Sequence, residues 1–353
     1  MHINVSFFSV TIKIVTMATA VEEKIVDLDK DHFYDSGKVT VDGATMRCWK
    51  AGGHGEQTFL QVLENSCNPG FVKLGQDLGK EKLFSYLEKF GFGEKTGVDL
   101  NGESTGIMFP IEKVGNVELS TTAFGQGISV TPIQQVTAVS AVVNGGYLYK
   151  PFIVKNIKNP ENKKILEEKN KTLVRKVISS ETSNIMRRAL ESVVAKGGGK
   201  SAYIEGYRVG GKTGTAQKVE NGRYLVGNYI MSFMAVVPSN DPEAVLYLAI
   251  DNPKNTALLS SYTTTPIARR ILLDIIDALN IEKQEGGIGK DLEWTDKILY
   301  EVPNVVGLTV QEAKKQLINF NIEYTGTGEK VISQSPEAGE KQEDRGTVRL
   351  LLE

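Results

Sequence analysis

The chain has 353 residues, with 41 lysines and arginines against 43 aspartates and glutamates and a net charge of −2. Acidic and basic residues are interspersed, so the chain lacks the basic footprint of a nucleic-acid-binding protein, and we expect no nucleic-acid partner. At this length it can form one large domain with a packed core and one small domain.

Cysteines and histidines are few. Cys48 and Cys67 allow at most one disulfide, which the sequence does not decide, and the three histidines, His2, His32 and His54, are far apart in the sequence. No zinc-binding spacing is present. The sequence therefore predicts no metal and no cofactor, and it favours chemistry based on hydroxyl and amine groups.

An apolar run from Ile3 to Val21 opens the chain. A membrane span needs about 20 predominantly apolar residues, whereas Lys13 lies at the centre of this run, and no basic segment precedes it as in a signal peptide. We interpret the run as a buried helix. Lys13 in such a helix is either a lysine whose ammonium reaches the surface or a buried amine with a lowered pKa, and the residue alone favours the first.

The next segment, Lys30 to Gly55, is polar and contains glycines, which predicts exposed connecting structure around a short strand over 38–41. Beyond it, a break at 65–69 separates two helices. Pro69 suits the first turn of the second helix, and Ser66 and Asn68 are typical capping residues. In this part of the chain we expect helices over 57–64, 71–78 and 80–90 and irregular structure over 93–124.

The second half predicts a sheet flanked by helices. A glycine-bearing strand comes first, and two β-rich runs joined by a short polar turn then form an antiparallel hairpin. This order indicates an α+β arrangement. We expect strands over 174–178, 209–217, 229–237 and 244–250, and helices over 132–143, 180–196 and 266–279.

The strand over 209–217 admits two functional interpretations. Its paired glycines would allow a ligand to approach the backbone closely. Gly206 to Thr213 fits the Gly-x4-Gly-Lys-Thr phosphate loop letter for letter, but that loop opens a helix, and 214–222 has no helical periodicity. Lys212-Thr213-Gly214 is also the third motif of class A β-lactamases and penicillin-binding proteins, which pair it with Ser-x-x-Lys and a Ser-x-Asn-type element.

A charged, glycine-containing linker follows the last of these helices. The predicted division is therefore 1–282, a linker over 283–301, and a compact module over 302–353. In the module we expect a helix over 309–320 capped by Thr309, then strands around Lys330 and Arg349. It has no visible catalytic set, which favours a binding or spacer role.

The motifs follow one another in a recognisable order. Ser66-Cys67-Asn68 is a Ser-x-Asn element, Phe124 to Gly127 with Thr131-Pro132 is a glycine-rich approach to a central helix, and Lys212-Thr213-Gly214 comes last. Together they resemble the transpeptidase domain of a class B penicillin-binding protein of the division or sporulation type. Residues 302–353 resemble a PASTA domain, so the resemblance covers nearly the whole chain.

This resemblance implies an α+β fold of the penicillin-binding and serine β-lactamase type, an antiparallel sheet flanked by helices, followed by a small α+β PASTA domain. It implies cross-linking of peptidoglycan stem peptides ending in D-Ala-D-Ala, through a serine acyl-enzyme that β-lactams trap. It also implies the extracytoplasmic face of the cell membrane as location, although the chain shows no anchor, and a cell-wall synthesis complex as partner.

The resemblance also assigns roles to particular side chains. Lys13 matches the lysine of the family's Ser-x-x-Lys motif, and repulsion from Lys212 would help to lower its pKa. Ser66 would pass protons to the leaving amine, and Asn68 would hold the substrate amide. The residues that match the family's substrate-binding strand are Thr213, Gly214, Thr215 and Gln217.

One departure from the family concerns the nucleophile. Three residues before Lys13 stands Val10, and no Ser-x-x-Lys occurs anywhere in the chain. Ser9 is one position too early, although residues at i and i+4 of a helix can still be neighbours. The family's anchor and N-terminal pedestal have no counterpart ahead of this helix. We therefore interpret the chain as an N-terminally truncated or frameshifted transpeptidase that is incomplete or inactive.

Three alternatives stay open at this point. The first is a non-catalytic protein that binds peptidoglycan or β-lactams through the PASTA module and a remnant cleft. The second is a relative of serine β-lactamases or carboxypeptidases, which the PASTA-like tail disfavours. The third is a phosphate-loop nucleotide-binding protein, in which Asp251 would hold magnesium.

Overall fold

The computed structural model describes residues 12–220, 223–253, 260–291, 299–343 and 346–353. Contacts divide the chain into two units, Met1–Lys290 and Asp291–Glu353. This division falls inside the linker predicted over 283–301. Ser9 and Val10 lie outside the described residues.

The larger unit is organised around α1, Ile12–Glu22, which is buried from Ile12 to Val21. The prediction of a buried helix is confirmed from Ile12 onward. Burial on all sides follows from the neighbours, because four later helices and α7 (Ser180–Ala195) contact α1. The strands and helices that follow α1 as far as α6 are β1 (His32–Asp35), β2 (Lys38–Val41), β3 (Ala44–Arg47), β4 (Gly55–Thr58), α2 (Phe59–Glu64), α3 (Asn68–Leu78), α4 (Lys80–Lys89), α5 (Asn116–Ala123) and α6 (Pro132–Val143).

The short strand predicted over 38–41 is confirmed as β2, but the prediction that the rest of 30–55 is only connecting structure is wrong. Strands β1 and β4 pair with each other, as do β2 and β3, all antiparallel. Side chains from this segment reach the core, among them Val41 and Met46. The three strands that the sequence did not predict, β1, β3 and β4, are only four residues long, so their alternation is too brief to distinguish them from turns.

One helix begins later than the sequence predicts, and another was not predicted. Helix α2 begins at Phe59 rather than at residue 57, because Thr58 is its N-cap and accepts a hydrogen bond from the backbone N–H of Gln61 at 3.3 Å. Helix α5 was not predicted at all. Its serine and threonine residues have modest helix propensity, and it is held by packing on α3, where Ala123 lies against Gly75.

After α6 the chain forms two small two-stranded antiparallel sheets, β5 with β8 and β6 with β7, and after α7 it forms the sheet of the larger unit. The sheet has the order β11-β10-β9 and is antiparallel throughout. The predicted hairpin is confirmed as β10 and β11, and helix α9 packs on the sheet through Ala268, Leu272 and Ile276. The bounds are β5 (Tyr147–Lys150), β6 (Asn156–Lys158), β7 (Ile165–Glu168), β8 (Thr172–Lys176), β9 (Gly210–Glu220), β10 (Arg223–Val237), β11 (Ala244–Asp251), α8 (Ser260–Thr263) and α9 (Thr265–Leu279).

The paired glycines at the start of β9 serve packing within the unit. A Cβ on Gly211 would lie 2.5 Å from the ring of Phe233, and one on Gly210 would lie 3.2 Å from the Cβ of Leu190. The prediction that these two glycines leave room for a ligand is therefore wrong. The phosphate-loop alternative also fails, since Lys212 lies inside a strand that continues to Glu220 and no helix begins there.

The smaller unit has its own core of eight buried side chains, all between Val302 and Leu350. Thr309 caps its helix as predicted, but the helix ends at Gln316 rather than at residue 320. A three-stranded sheet of order β13-β16-β14 and a two-stranded pair of β12 and β15 complete it. The elements are β12 (Leu299–Glu301), α10 (Val310–Gln316), β13 (Asn321–Gly326), β14 (Val331–Ser335), β15 (Lys341–Glu343) and β16 (Thr347–Leu352).

Within the described ranges, no helix has the length and apolar character to cross a membrane.

Candidate functional site

The ammonium group of Lys13 is the centre of the site. Its Nζ donates to three acceptors, the Ser66 backbone oxygen at 2.8 Å, Ser66 Oγ at 3.0 Å and Asn68 Oδ1 at 2.7 Å. An ammonium has three N–H donors, so the three bonds match its full capacity. The side chain also lies over the ring of Phe71, 5.2 Å from its centroid.

Lys13 is only 2% exposed, so the interpretation of a lysine that reaches the surface is wrong. Burial disfavours the charged form and lowers the pKa of Lys13 to about 8. An amine with a pKa near 8 can accept a proton close to neutral pH, which an ordinary lysine cannot do. The helix thus holds a candidate base.

Ser66 lies in the turn between α2 and α3 with a φ of +55°, a left-handed conformation that is uncommon for a residue with a side chain. The prediction that Ser66 and Asn68 cap α3 is wrong, because the N-cap is Cys67, which makes no side-chain capping bond. Pro69 does lie in the first turn, as predicted. The turn therefore aims the hydroxyl of Ser66 at Lys13 instead of at the helix.

Asn68 uses both ends of its amide. Its Oδ1 accepts from Lys13, and its Nδ2 donates to the backbone oxygen of Arg47 at 3.1 Å. Arg47 ends strand β3, so the segment predicted to be exposed connection supplies one wall of the site. Two hydrogen bonds on opposite ends fix the orientation of the amide.

Lys212 is the second buried lysine and is 1% exposed. Its pKa is lowered well below 10.5, first by burial and then by the positive charge of Lys13. Its Nζ donates to the backbone oxygen of Thr213 at 3.2 Å. The structure therefore places the lysines of two separate sequence motifs close enough to repel each other.

The remaining predicted residues follow Lys212 along β9. Thr213, Thr215 and Gln217 are half-buried and alternate with buried Gly214. Thr215 Oγ1 lies 2.6 Å from Ser260 Oγ, and the hydroxyl of Ser260 donates to the backbone oxygen of Gly214. Ser260 was missed by sequence reasoning, because it belongs to no motif and only the tertiary fold brings it to this strand.

A glycine run after α7 also borders the site. Gly197 to Gly199 directly follow the helix predicted over 180–196. A Cβ on Gly197 would lie 2.6 Å from the backbone oxygen of Glu64, and one on Gly198 would lie 3.3 Å from Thr213 Oγ1. The Gly198 N–H donates to the same Glu64 oxygen at 3.1 Å. The run thus joins the end of α2 to strand β9.

The side-chain carboxyl of Glu64 also lies at this junction. It is buried beside Ser192 of α7, whose hydroxyl donates to it. Burial raises the pKa of Glu64 above its ordinary value, while this hydrogen bond acts in the opposite direction. Sequence reasoning also missed Glu64 and Ser192, because the sequence around Glu64 does not indicate which distant residue its carboxyl contacts.

A buried lysine that meets a Ser-x-Asn turn beside a Lys-Thr-Gly strand defines a class of protein. The family model for the penicillin binding protein transpeptidase domain matches residues 10–273, and the model for the PASTA domain matches residues 300–353. The chain therefore belongs to the penicillin-binding protein transpeptidase family, and it carries a PASTA domain. The resemblance inferred from the motifs is confirmed.

Among curated proteins, the chain is 53% identical to stage V sporulation protein D of Bacillus subtilis over 342 residues, which is 97% of this chain and 53% of that protein. It is 30% identical to the peptidoglycan D,D-transpeptidase FtsI of Escherichia coli over 232 residues, 65% of this chain and 37% of that one. The chain thus spans about half the length, or less, of these relatives.

Solved structures agree on the fold. Penicillin binding protein 3 of Mycobacterium tuberculosis, in its apo form, matches with a TM-score of 0.73 and 27% identity, covering 82% of this chain and 66% of that one. The transpeptidase domain of Burkholderia pseudomallei penicillin-binding protein 3 matches with a TM-score of 0.71 and 27% identity, covering 80% and 82%. The predicted α+β penicillin-binding fold is confirmed.

Proposed function

We propose that this chain carries the substrate cleft and the proton-transfer groups of a serine D,D-transpeptidase that acts on peptidoglycan stem peptides ending in D-Ala-D-Ala. The observation that carries the proposal is the contact of one buried amine, Lys13 Nζ, with both Ser66 Oγ and Asn68 Oδ1. The positive charge of Lys13 lowers the pKa of the neighbouring Lys212 amine, so the Lys-Thr-Gly strand lies at the same site. This arrangement suits acyl transfer through an activated hydroxyl.

In the reaction, a hydroxyl oxygen attacks the carbonyl carbon of the penultimate D-Ala, and its proton passes to Lys13. A lysine with a pKa of about 8 is neutral in roughly a tenth of molecules at pH 7, enough to act as a base. Ser66 lies 3.0 Å from the amine and relays the proton to the nitrogen of the leaving D-Ala as the C–N bond breaks. An acceptor amine then attacks the acyl-enzyme ester, a new amide bond forms as the ester C–O bond breaks, and the oxygen of the nucleophile regains a proton.

Substrate binding falls to β9 and to Asn68. The hydroxyls of Thr213 and Thr215, together with the charge of Lys212, suit the terminal carboxylate of the stem peptide. The N–H of Thr215 would donate to the oxyanion, where the loss of one donor typically costs about 10²–10³ in kcat. The amide of Asn68 holds a substrate amide, and Gln217 lies further along the same strand.

The nucleophile position decides whether this chemistry runs. Val10 occupies it in the sequence, so we expect no covalent adduct when the chain is incubated with a fluorescent penicillin and separated on a denaturing gel. Val10→Ser restores the Ser-x-x-Lys spacing and should produce a labelled band, whereas Val10→Ala, the matched control, should not. A labelled wild-type band that disappears in Ser9→Ala would identify Ser9 as the nucleophile and overturn this assignment.

The relatives suggest the biological setting. The Bacillus subtilis protein is named for sporulation and the Escherichia coli protein for its D,D-transpeptidase activity, and the Mycobacterium tuberculosis protein was solved in complex with aztreonam. For this chain we accordingly propose β-lactams as ligands, a cell-wall synthesis complex as partner, and the extracytoplasmic face of the membrane as location.

Val10 also favours a second candidate, a protein that binds peptidoglycan without cleaving it. The cleft would then hold the stem peptide through Asn68 and β9, and the PASTA domain would add a second contact. Titration of the whole chain with a muropeptide, followed by intrinsic fluorescence, should give a saturable change. A flat titration would remove this candidate and leave the penicillin experiment to decide the first.

A further inference from the structure

A long hairpin connects α6 to α7. Its strand β5 pairs with β8, and further along the hairpin β6 pairs with β7, all antiparallel. The N–H of Lys169 donates to the backbone oxygen of Lys155 at 2.9 Å and links the two pairs. We call residues 147–176 the arm. No residue of β6 or β7 is buried, so the outer half of the arm lies in solvent.

The arm exposes large apolar side chains. More than a third of the exposed large apolar side chains in the described parts of the chain fall within the arm, which makes up less than a tenth of the chain's length. Each of the arm's eight is at least 39% exposed: Phe152, Ile153, Val154, Ile157, Ile165, Leu166, Leu173 and Val174. Apolar side chains exposed singly are normal on a soluble protein, whereas a concentration of them marks a surface that contacts a partner or a membrane.

The arm is also strongly basic. It contains nine lysines and arginines against three glutamates, a net charge of +6 in a chain whose total is −2. The near-neutral total therefore conceals a local cationic surface. Four of the nine basic side chains are engaged within the larger unit: Lys169 with Asp99, Arg175 with Glu94, Lys171 over the ring of Tyr149 and Lys176 over the ring of Tyr147.

The lysines of the outer half carry charge that no neighbour cancels. Lys155, Lys158, Lys163 and Lys164 are exposed. Among the described residues, no carboxylate pairs with any of these four ammonium groups, the arm's own three glutamates included. A cluster of uncompensated positive charges attracts an anionic partner from solution.

Hydrogen bonds fix the shape of the arm. At the bend between the two strand pairs, the carboxylate of Asp99 accepts from the N–H of Ile153 at 2.8 Å and from the N–H of Val154 at 3.1 Å. At the tip, the N–H of Asn159 donates to the backbone oxygen of Lys164 at 2.8 Å. The arm is therefore an ordered structure that holds its apolar and basic side chains in set positions.

These observations distinguish three kinds of partner. A partner that adds a strand needs an open edge, but β6 and β7 are three and four residues long with a register irregularity between them, and such edges resist pairing. A soluble polyanion would neutralise the lysines and leave the apolar side chains in water. A membrane with anionic lipids accommodates both, the lysines at the headgroups and the apolar side chains at the interface. We propose that the arm docks on an anionic phospholipid surface.

Docking also orients the functional site. The arm lies between α6 and α7 in the chain, and both helices contact α1, which carries Lys13. An arm held at the membrane therefore fixes the direction in which the cleft faces. The arm contains no residue of the site, so docking is independent of transpeptidase activity.

The experiment is sedimentation of the full chain with lipid vesicles. We expect binding to vesicles of phosphatidylcholine with about one-third phosphatidylglycerol, and none to phosphatidylcholine alone, because each lysine near an anionic surface contributes a factor of about 5 to binding. Added salt should weaken the binding by screening. Replacement of the four outer lysines by glutamine should weaken it by more than about 10-fold. The matched control replaces four exposed lysines outside the arm by glutamine and should bind as the wild type: Lys24, Lys38, Lys113 and Lys315.

A second variant separates a membrane from a soluble acidic partner. Ile157→Ser combined with Leu166→Ser should weaken vesicle binding and leave any binding to polyglutamate unchanged. Leu279→Ser combined with Ile318→Ser, at exposed positions outside the arm, should bind vesicles as the wild type.

Three results overturn the proposal. They are equal binding to both kinds of vesicle or none to either, vesicle binding that the arm lysines do not affect, and an apolar arm variant that binds vesicles as the wild type does. The last result, together with lysine-dependent binding to polyglutamate, would assign the arm to an acidic protein partner. All substituted side chains are exposed, so thermal unfolding should show that the variants fold.

Discussion

At the scale of single residues, the two buried lysines differ in how far hydrogen bonds compensate for the burial of their amines. Lys13 is fully hydrogen-bonded, whereas Lys212 has one long bond to a backbone oxygen and faces the charge of Lys13. Burial of a charged amine with so little compensation destabilises the folded state. We infer that Lys212 serves the functional site and lowers the free energy of unfolding.

Lys212→Met tests this inference through its pH dependence. The folded-state pKa of Lys212 lies well below the ordinary value of 10.5, so between these two pKa values the unfolded chain binds more protons than the folded chain, and stability falls as the pH decreases from 10.5. Each unit of pKa is about 1.4 kcal/mol. The variant should therefore be more stable than the wild type at pH 7, with a midpoint at least ~2–4 °C higher.

Thermal unfolding at pH 7 and near pH 10, followed by circular dichroism, measures the unfolding midpoints of the variant and the wild type. The advantage of Lys212→Met should shrink at the higher pH, because the unfolded chain also begins to lose the lysine proton as the pH approaches 10.5. Lys38→Met, at an exposed strand position, controls for the loss of a lysine as such. A destabilised Lys212→Met variant at pH 7 would show that the amine is better compensated than the contacts indicate.

At the scale of elements, the site depends on a junction between α2, α7 and β9. Gly197 to Gly199, which follow α7, lie in this junction. There the carboxyl of Glu64 accepts a hydrogen bond from the Ser192 hydroxyl, and the backbone oxygen of Glu64 accepts one from the N–H of Gly198. Each of the three elements carries or adjoins a site residue. A disturbance of the junction therefore reaches Ser66 and Thr213 together.

Gly197→Ala places a methyl group against this junction. Its Cβ would lie 2.6 to 2.9 Å from three backbone atoms of Glu64, which cannot rotate away as a side chain does. Overpacking of this kind typically destabilises by about 1–3 kcal/mol, and we expect that loss in chemical denaturation. Gly289→Ala, where nothing lies within 4 Å of the added Cβ, should be near neutral. Equal effects of the two substitutions would contradict the proposed junction.

At the scale of the whole molecule, the chain folds as two units with separate cores. Among the described residues of the PASTA unit, eight side chains form the buried core, and a domain of ~50 residues is near the lower limit for stable folding. Its stability should therefore depend strongly on each core residue, more so than in the larger unit.

Leu350→Ala tests this dependence. Leu350 is 0% exposed, and truncation of a buried leucine typically costs about 2–5 kcal/mol, enough to unfold the small unit. Hydrogen exchange should then show lost protection over 299–353 and retained protection over 12–290. Leu351→Ala, one residue along and 44% exposed, is the matched control. Lost protection in both units would show that the two cores do not fold separately.

Much of this protein is determined by the sequence alone. Helices α6 and α9 and the hairpin of β10 and β11 follow from long periodic runs, proline at helix starts and a polar turn. The Ser-x-Asn and Lys-Thr-Gly elements, in order, identify the family, because each residue type there is required by the chemistry. Val10 is likewise a sequence fact, and the expectation of no covalent label rests on it.

Other features depend on tertiary structure. Whether Lys13 reaches the surface or lies buried, and whether Ser66 caps a helix or meets an amine, depends on which elements surround them. Ser260 and the glycine junction each join distant segments of the chain. Local propensity governs only a few neighbouring residues, whereas packing decides which distant side chains share a pocket and hence which amines and hydroxyls can react.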